Sequence, residues 1–353
     1  MDFFIKIIGD KYSLVIFAPM NSRQKNIVLI WLYSGLFLVV LMVVIGGITR
    51  LTNSGLSMVE WKLISGTIPP MNTTQWQEVF LKYKQFPEYQ KINKGMSLSE
   101  FKVIFFWEYL HRVLGRLIGL AFVVPFILFW IKSWLNKKLK KQLIILFSLG
   151  ALQGFLGWFM VKSGLVDVPA VSHFRLATHL ITAFLLTGYI YWLILEVEER
   201  KHFPNFHINK LAKCFLFLLT VQIIYGAFTA GLKAGYLFPV GKGFWQSLFG
   251  YYTTEVLQNL DLINNAYNIQ FIHRIFAWAV FFFSIYLWQK ARETELVKAS
   301  LILFLLVCLQ IILGIITLLF AVPIYFAVAH QFVAVLILLA VTNLIFQSTE
   351  NSQ

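Results

Sequence analysis

Cysteine is nearly absent from this chain of 353 residues, which contains only Cys214 and Cys308. That leaves no disulfide framework, no zinc cluster and no Cys-x-x-Cys-His motif for covalent heme attachment. Charge is scarce as well, at 13% of residues, and acidic charge most of all, with 16 Asp and Glu against 30 Lys and Arg. With 59% hydrophobic residues and 35 Phe, the chain has too little polar surface to coat a soluble domain. It reads as a polytopic membrane protein. The net charge of +14 is no nucleic-acid footprint, because the basic residues fall in short clusters beside apolar runs. There they serve topology and anionic headgroups, so membrane lipid is an expected partner and nucleic acid is not. About 26 residues without a small-residue cleavage site precede the first apolar run, which reads as a retained anchor.

Eight apolar stretches lie at roughly 27–48, 103–131, 142–161, 176–195, 214–235, 268–288, 299–320 and 323–346. Each suits a bilayer helix of about 20 residues. Basic residues concentrate before span one (Lys6, Lys11, Arg23, Lys25) and after spans two (Lys132, Lys137, Lys138, Lys140, Lys141), four (Arg200, Lys201, Lys210, Lys213) and six (Lys290, Arg292, Lys298). By the positive-inside rule those sides, and both termini, are cytoplasmic. The long outer loop 49–102 dilutes its seven basic residues with Glu60, Glu78, Glu88 and Glu100.

The two halves resemble one another in order. "IGGITRLTNSG" matches "IYGAFTAGLKAG", placing Gly46, Thr49 and Gly55 with Gly226, Thr229 and Gly235. "EYLHRVLGR" matches "QFIHRIFAW", "ALQGFLGW" matches "CLQIILGI", and "LATHLITA" matches "AVAHQFVA". The expected fold is all-α and integral to the membrane, with eight transmembrane helices in two tandem pseudo-symmetric four-helix bundles. The domains would be a cytoplasmic segment 1–26, a first bundle 27–195, a cytoplasmic linker 196–213, a second bundle 214–346 and a cytoplasmic tail 347–353.

Four of the seven histidines recur at one depth: His111, His179, His273 and His330 each lie several residues into an even-numbered span. That is roughly 5 to 12 Å below the outer end of each helix. A lone membrane histidine is a polar side chain met by a neighbouring helix; duplicated pairs at matched depth point to ligation. Two histidines with no repeated third ligand suit bis-imidazole coordination of heme iron better than zinc. Four residues after each histidine, on the same helix face, stand Gly115, Ala183, Ala277 and Ala334, small enough for a flat porphyrin to lie against the backbone. Heme propionates need cations, and Arg112 and Arg274 follow a histidine in each half, while Arg116 and Arg175 occur in the first half only. The same arginines also fit carbonyl capping or headgroup contact. Glu108, one turn before His111, either orients that histidine or pairs with Arg112.

The halves differ in their outer loops. Only the first carries "TNSGLSMVEWKLISGTIPP", in which Glu60 is either a proton acceptor over a heme edge or an ordinary solvated glutamate.

Over essentially its whole length the chain resembles heme A synthase, most specifically in "GGITRLTNSGLSMVEWK", in "PEYQKINKGMSLSEFKVIFFWEYLHRVLGR" and in the histidine pairs. The likeness is to the proteobacterial and mitochondrial branch, and Leu63 stands where that family commonly has Pro. The resemblance implies an oxidoreductase that converts heme O to heme A by two successive hydroxylations of the C8 methyl and dehydration to a formyl group. It makes His273 and His330 the ligands of a permanent heme b and His111 and His179 those of the substrate heme, with Glu60 catalytic; Arg274 at the first, and Arg112 and Arg116 at the second, are the expected propionate partners. It implies a bacterial inner membrane location with heme sites near the outer face, association with heme O synthase (protoheme farnesyltransferase) and an unidentified electron acceptor, and leaves a homo-oligomer open. The competing reading is a bis-histidine diheme b-type cytochrome that transfers electrons from quinol.

Overall fold

The computed structural model describes residues 20–60, 65–164, 171–237 and 261–350. Trp61 to Leu63 of the loop motif, Trp245, Glu255, Lys6 and Lys11 lie outside the described residues. Among the described residues there are ten α-helices and no strand, and eight of the helices are long and apolar enough to cross a membrane. In chain order they are α1 (Ser22–Leu51), the short α2 (Thr73–Tyr83) and α3 (Pro87–Lys91), then α4 (Leu98–Ile131), α5 (Lys137–Gly164), α6 (His173–Val197), α7 (Phe206–Gly231), α8 (Ala266–Ala291), α9 (Val297–Leu319) and α10 (Ile324–Ser348).

Helix starts follow from local chemistry. Asn21 accepts from the Gln24 N–H at 2.9 Å while Gln24 Oε1 accepts from the Asn21 N–H at 3.0 Å, a reciprocal cap that satisfies two of the orphan donors of α1. Ser97 and Glu100 do the same for α4, and Asn205 and Asn265 cap α7 and α8. At the far end of α1, Asn53 adopts the left-handed conformation (φ 51°), and Ser54 N–H returns to Thr49 O at 2.9 Å, closing the helix. The expected fifth span ran to residue 235, but α7 stops at Gly231 because Lys233 (φ 53°) turns the chain out of the helix in the same way.

The long helices contact one another in two rings, α1–α4–α5–α6 and α7–α8–α9–α10, joined through α6 with α7 and α10 and through α1 with α10. The larger buried core runs from Leu219, Val280 and Val307 to Val43 and Phe184, so it crosses the seam between the rings. Gln331 of α10 spans the same seam, its Nε2 donating to Val43 O of α1 at 2.8 Å. That approach relies on Gly47, where a Cβ would lie 2.8 Å from Gln331 Oε1.

Helix α4 has 34 residues, about 51 Å at 1.5 Å per residue, well beyond a hydrocarbon core of about 30 Å. Its first turns therefore stand clear of the apolar layer. Phe101, Ile104 and Phe105 there bury against Phe80 and Tyr83, so that α2 and α3 fold onto α4 and roof one end of the molecule, called the loop end below.

Inside a bilayer an unpaired carbonyl has no water to turn to. Pro125, within α4, has no N–H to give Ala121 O. The indole of Trp31 on α1 donates to that oxygen instead, at 2.8 Å. Trp31→Phe is expected to destabilise the detergent-solubilised protein by about 1–2 kcal/mol. The loss should shrink in a Pro125→Ala background, where residue 125 regains its own donor; thermal unfolding of the four combinations measures this coupling.

Candidate heme site

The last turns of α1, α5, α7 and α9 and the first turns of α4, α6, α8 and α10 meet at the loop end. His179, His273 and His330 lie six or seven residues into their helices, about 10 Å deep. All four histidines, with Gly115, Ala183, Ala277 and Ala334, line a single cavity of about 1530 Å³ whose wall comes from both rings.

Each ring nests against a glycine on the preceding long helix: His111 on Gly46, His179 on Gly157, His273 on Gly226 and His330 on Gly314. The fit is close, since a Cβ at Gly314 would come within 2.9 Å of His330 Cε1 and one at Gly226 within 3.1 Å of His273 Cε1. Three of these glycines have a glutamine one turn earlier that holds the same histidine. Gln310 accepts at its carbonyl from His330 Nδ1 at 3.0 Å and offers its amide to Nε2 at 3.2 Å. This fixes the Nδ1–H tautomer, and a metal at this histidine would take the Nε2 lone pair from the Gln310 amide. Gln153 donates to His179 O at 3.1 Å and Gln222 to His273 O at 2.9 Å. The residue in the corresponding place beside His111 is Met42, whose Cε lies 3.1 Å from where a Gly115 Cβ would be. Gln153, Gln310 and the glycines stood out in the sequence as matched positions; their contact with the histidines needed the packing to be seen.

The donor set fits heme iron. Two imidazoles per pair, backed by glycine and glutamine in a wall of small residues, suit a flat bis-histidine guest. Among the described residues no group of three or more His, Cys, Asp or Glu is gathered for a bare metal ion.

Glu108 pairs with Arg112 (2.5 Å) and so resolves the choice the sequence left open. Both are buried, at 2% and 9% exposure. Glu108 Oε2 also accepts from Ser57 Oγ and from Met58 N–H, each at 2.7 Å, and the Arg112 guanidinium donates to Met58 O at 2.8 Å and Glu60 O at 3.0 Å. The pair thus clamps the loop strand 57–60 across the cavity mouth. Arg112, Arg116 and Arg274 line the cavity, whereas Arg175 stacks on Phe159 at 4.3 Å and does not. Arg274 Nη1 donates to Gln270 Oε1 at 3.2 Å.

Glu60 does not line the cavity; its carboxylate meets Lys82 Nζ at 2.7 Å, half-exposed, while its backbone carbonyl is held by Arg112. Among the described residues, the loop carboxyl that does line the cavity is Glu88, one of several loop glutamates that the sequence does not tell apart. It is 6% exposed and accepts from Tyr83 Oη at 3.0 Å, and Asn93 Nδ2 in turn donates to that hydroxyl at 2.7 Å. Burial pushes its pKa up to about 7; Glu108 adds to the rise, while the Tyr83 hydrogen bond and Lys233 oppose it.

These features define a multi-pass membrane protein with a histidine-lined cavity whose donor set fits a porphyrin. The chain belongs to the cytochrome oxidase assembly protein family COX15-CtaA, whose model matches residues 29–342. It is 44% identical over 341 residues to heme A synthase of Flavobacterium johnsoniae, covering 91% of this chain and 97% of that one. Heme A synthase of Bradyrhizobium diazoefficiens is 43% identical over 321 residues (87% and 88% covered), and that of Pelagibacter ubique 40% identical over 315 residues (88% and 93%).

Glu88 makes folding pH-dependent. Its folded pKa of about 7 exceeds the ordinary 4.5, so the folded state holds the proton more tightly and stability falls as pH rises between those values, then levels off. Glu88→Gln, which keeps an acceptor for Tyr83, should flatten that fall and melt higher than the parent at pH 8; thermal scans at pH 5 and pH 8 test it.

Proposed function

We propose that this chain is a heme A synthase, converting heme O to heme A by oxidising the C8 methyl group through two hydroxylations, with loss of water from the gem-diol to leave the formyl group. The observation that carries this reading is the set of four cavity histidines, each backed by glycine, in a chain 38–44% identical to heme A synthases along most of its length. Family and relatives favour it over the diheme electron-transfer cytochrome.

The two helix rings act as tandem, related bundles, 27–195 and 214–346. His273 and His330 hold heme b in the second, with Arg274 toward its propionates, and His111 and His179 present the substrate in the first, with Arg116 beside it. Bound heme b supplies an iron that passes electrons. The chain's own groups do the rest: Gln310 orients the His330 lone pair, the glycines let the rings stand close to the helices, and the Arg112–Glu108 clamp keeps the loop over the substrate edge, excluding water. Glu60, suspended from that clamp by its carbonyl, serves as the proton acceptor near the reacting carbon. The site lies near the outer face of a bacterial inner membrane, with both termini cytoplasmic. Heme O synthase delivers the substrate, and an electron acceptor completes the cycle.

Purified protein should contain b-type heme and, co-expressed with a heme O source, yield a porphyrin with a formyl absorption band and the mass of heme A. His273→Ala should lose the b-type heme; full retention would remove the ligand assignment. Glu60→Ala should keep that heme while heme O or its hydroxymethyl form accumulates, read by mass analysis of extracted pigment.

A further inference from the structure

One cation in the cavity wall has no anionic counterpart among the described residues. Arg50 ends α1 at the loop end and lines the cavity, and among the described residues no carboxylate or carbonyl accepts a hydrogen bond from its guanidinium. A guanidinium facing an apolar, water-poor space is costly unless an anion meets it. The other charged groups nearby do not supply one. Glu108 is engaged by Arg112, Ser57 and Met58. Glu88 is turned to Tyr83 and resists ionisation, and Lys233, whose Nζ donates to Asn53 Oδ1 at 3.1 Å, adds a second positive charge at the rim.

The position of Arg50 selects a guest. It stands four residues after Gly46, the glycine against the His111 ring. It therefore sits one helical turn, about 6 Å, nearer the loop end on the same face of α1. The residue four after Gly226, which backs His273, is Ala230, so the second site has no such cation. The Arg112 guanidinium, which the sequence offered for the role, already donates to Glu108, Met58 O and Glu60 O.

The geometry points to Arg50, assisted at the rim by Lys233, as the site that takes a carboxylate of the porphyrin held by His111. Because Arg50 belongs to α1 and Lys233 follows α7, the guest's acid group ties the two helix rings together at the cavity mouth. The inference rests on His111 being a ligand of the substrate porphyrin.

The test uses the purified full chain, titrated with heme O and with heme O dimethyl ester and followed by absorbance. The parent should bind the free acid about tenfold or more tightly than the ester, the scale of one charge-assisted hydrogen bond. Arg50→Gln should lose most of that preference, keeping only the smaller share that Lys233 and Arg116 supply, with the ester affinity unchanged. If the variant keeps the full acid preference, or loses acid and ester binding equally, the assignment is overturned. Should Arg50→Gln not fold, Arg50→Lys takes its place, with a reduced preference expected and an unchanged one overturning the assignment. His111→Ala separates the underlying reading: undiminished heme O binding there would remove the histidine ligand, whatever the ratio at Arg50.

Discussion

In hydrocarbon a polar group that finds no partner within the protein finds none in solvent, and this constraint explains most of what is specific about the structure. Where Pro125 withholds a donor, a tryptophan from the next helix supplies one. Where Glu108 and Arg112 are buried side by side, they neutralise each other and spend their remaining valences on loop backbone. Where imidazoles are sunk about 10 Å into helices, glutamines one turn from the facing glycine engage three of them. Among the described residues, what remains unmatched includes Nδ1 of His179 and of His273 and, in the cavity wall, Arg50.

The same constraint separates the two ends of one cavity. His273 has Gln222 on its carbonyl and Gln270 one turn before it, both neutral. His111 has Met42 and Glu108 in those places, with Arg50 a turn beyond its glycine. A methionine adapts its shape where an amide would fix a hydrogen bond. The His111 site is therefore the more loosely held and the more charged, which suits a guest that must enter, react and leave. The His273 and His330 site, with a glutamine on each histidine, suits one that stays.

Much of this could be read in the sequence, and the limits were physical. Eight spans and four histidines were legible because length, hydropathy and helical depth are local properties of the chain. The role of Arg112 was not, since its partners Met58 and Glu60 lie more than 50 positions away and are backbone oxygens, invisible to any side-chain pattern. Following a histidine, Arg112 fitted either a propionate or a loop carbonyl, and its bonds to Met58 O and Glu60 O are of the second kind. Arg50 was overlooked for the converse reason, sitting in a glycine-rich motif far from any histidine in sequence. The usable signal was its spacing of four from Gly46, once that glycine is known to face His111. Glu88 could not be told from Glu78 or Glu100 until α3 was seen to fold inward.

The clamp also bears on Glu60, whose carboxylate points away from the cavity it is proposed to serve. Its backbone is fixed by Arg112, a residue of the cavity wall, so the side chain pivots from a point at the mouth. Its partner Lys82 is half-exposed, and a solvent-screened pair of that kind holds a carboxylate only weakly. Turning Glu60 inward sacrifices little, provided a positive or proton-donating group awaits it there. A carboxylate-bearing guest anchored at Arg50 brings negative charge to the mouth and opposes that turn. Positive charge developing at the porphyrin edge during oxidation favours it. On this account Glu60 is drawn in by the reaction rather than by binding.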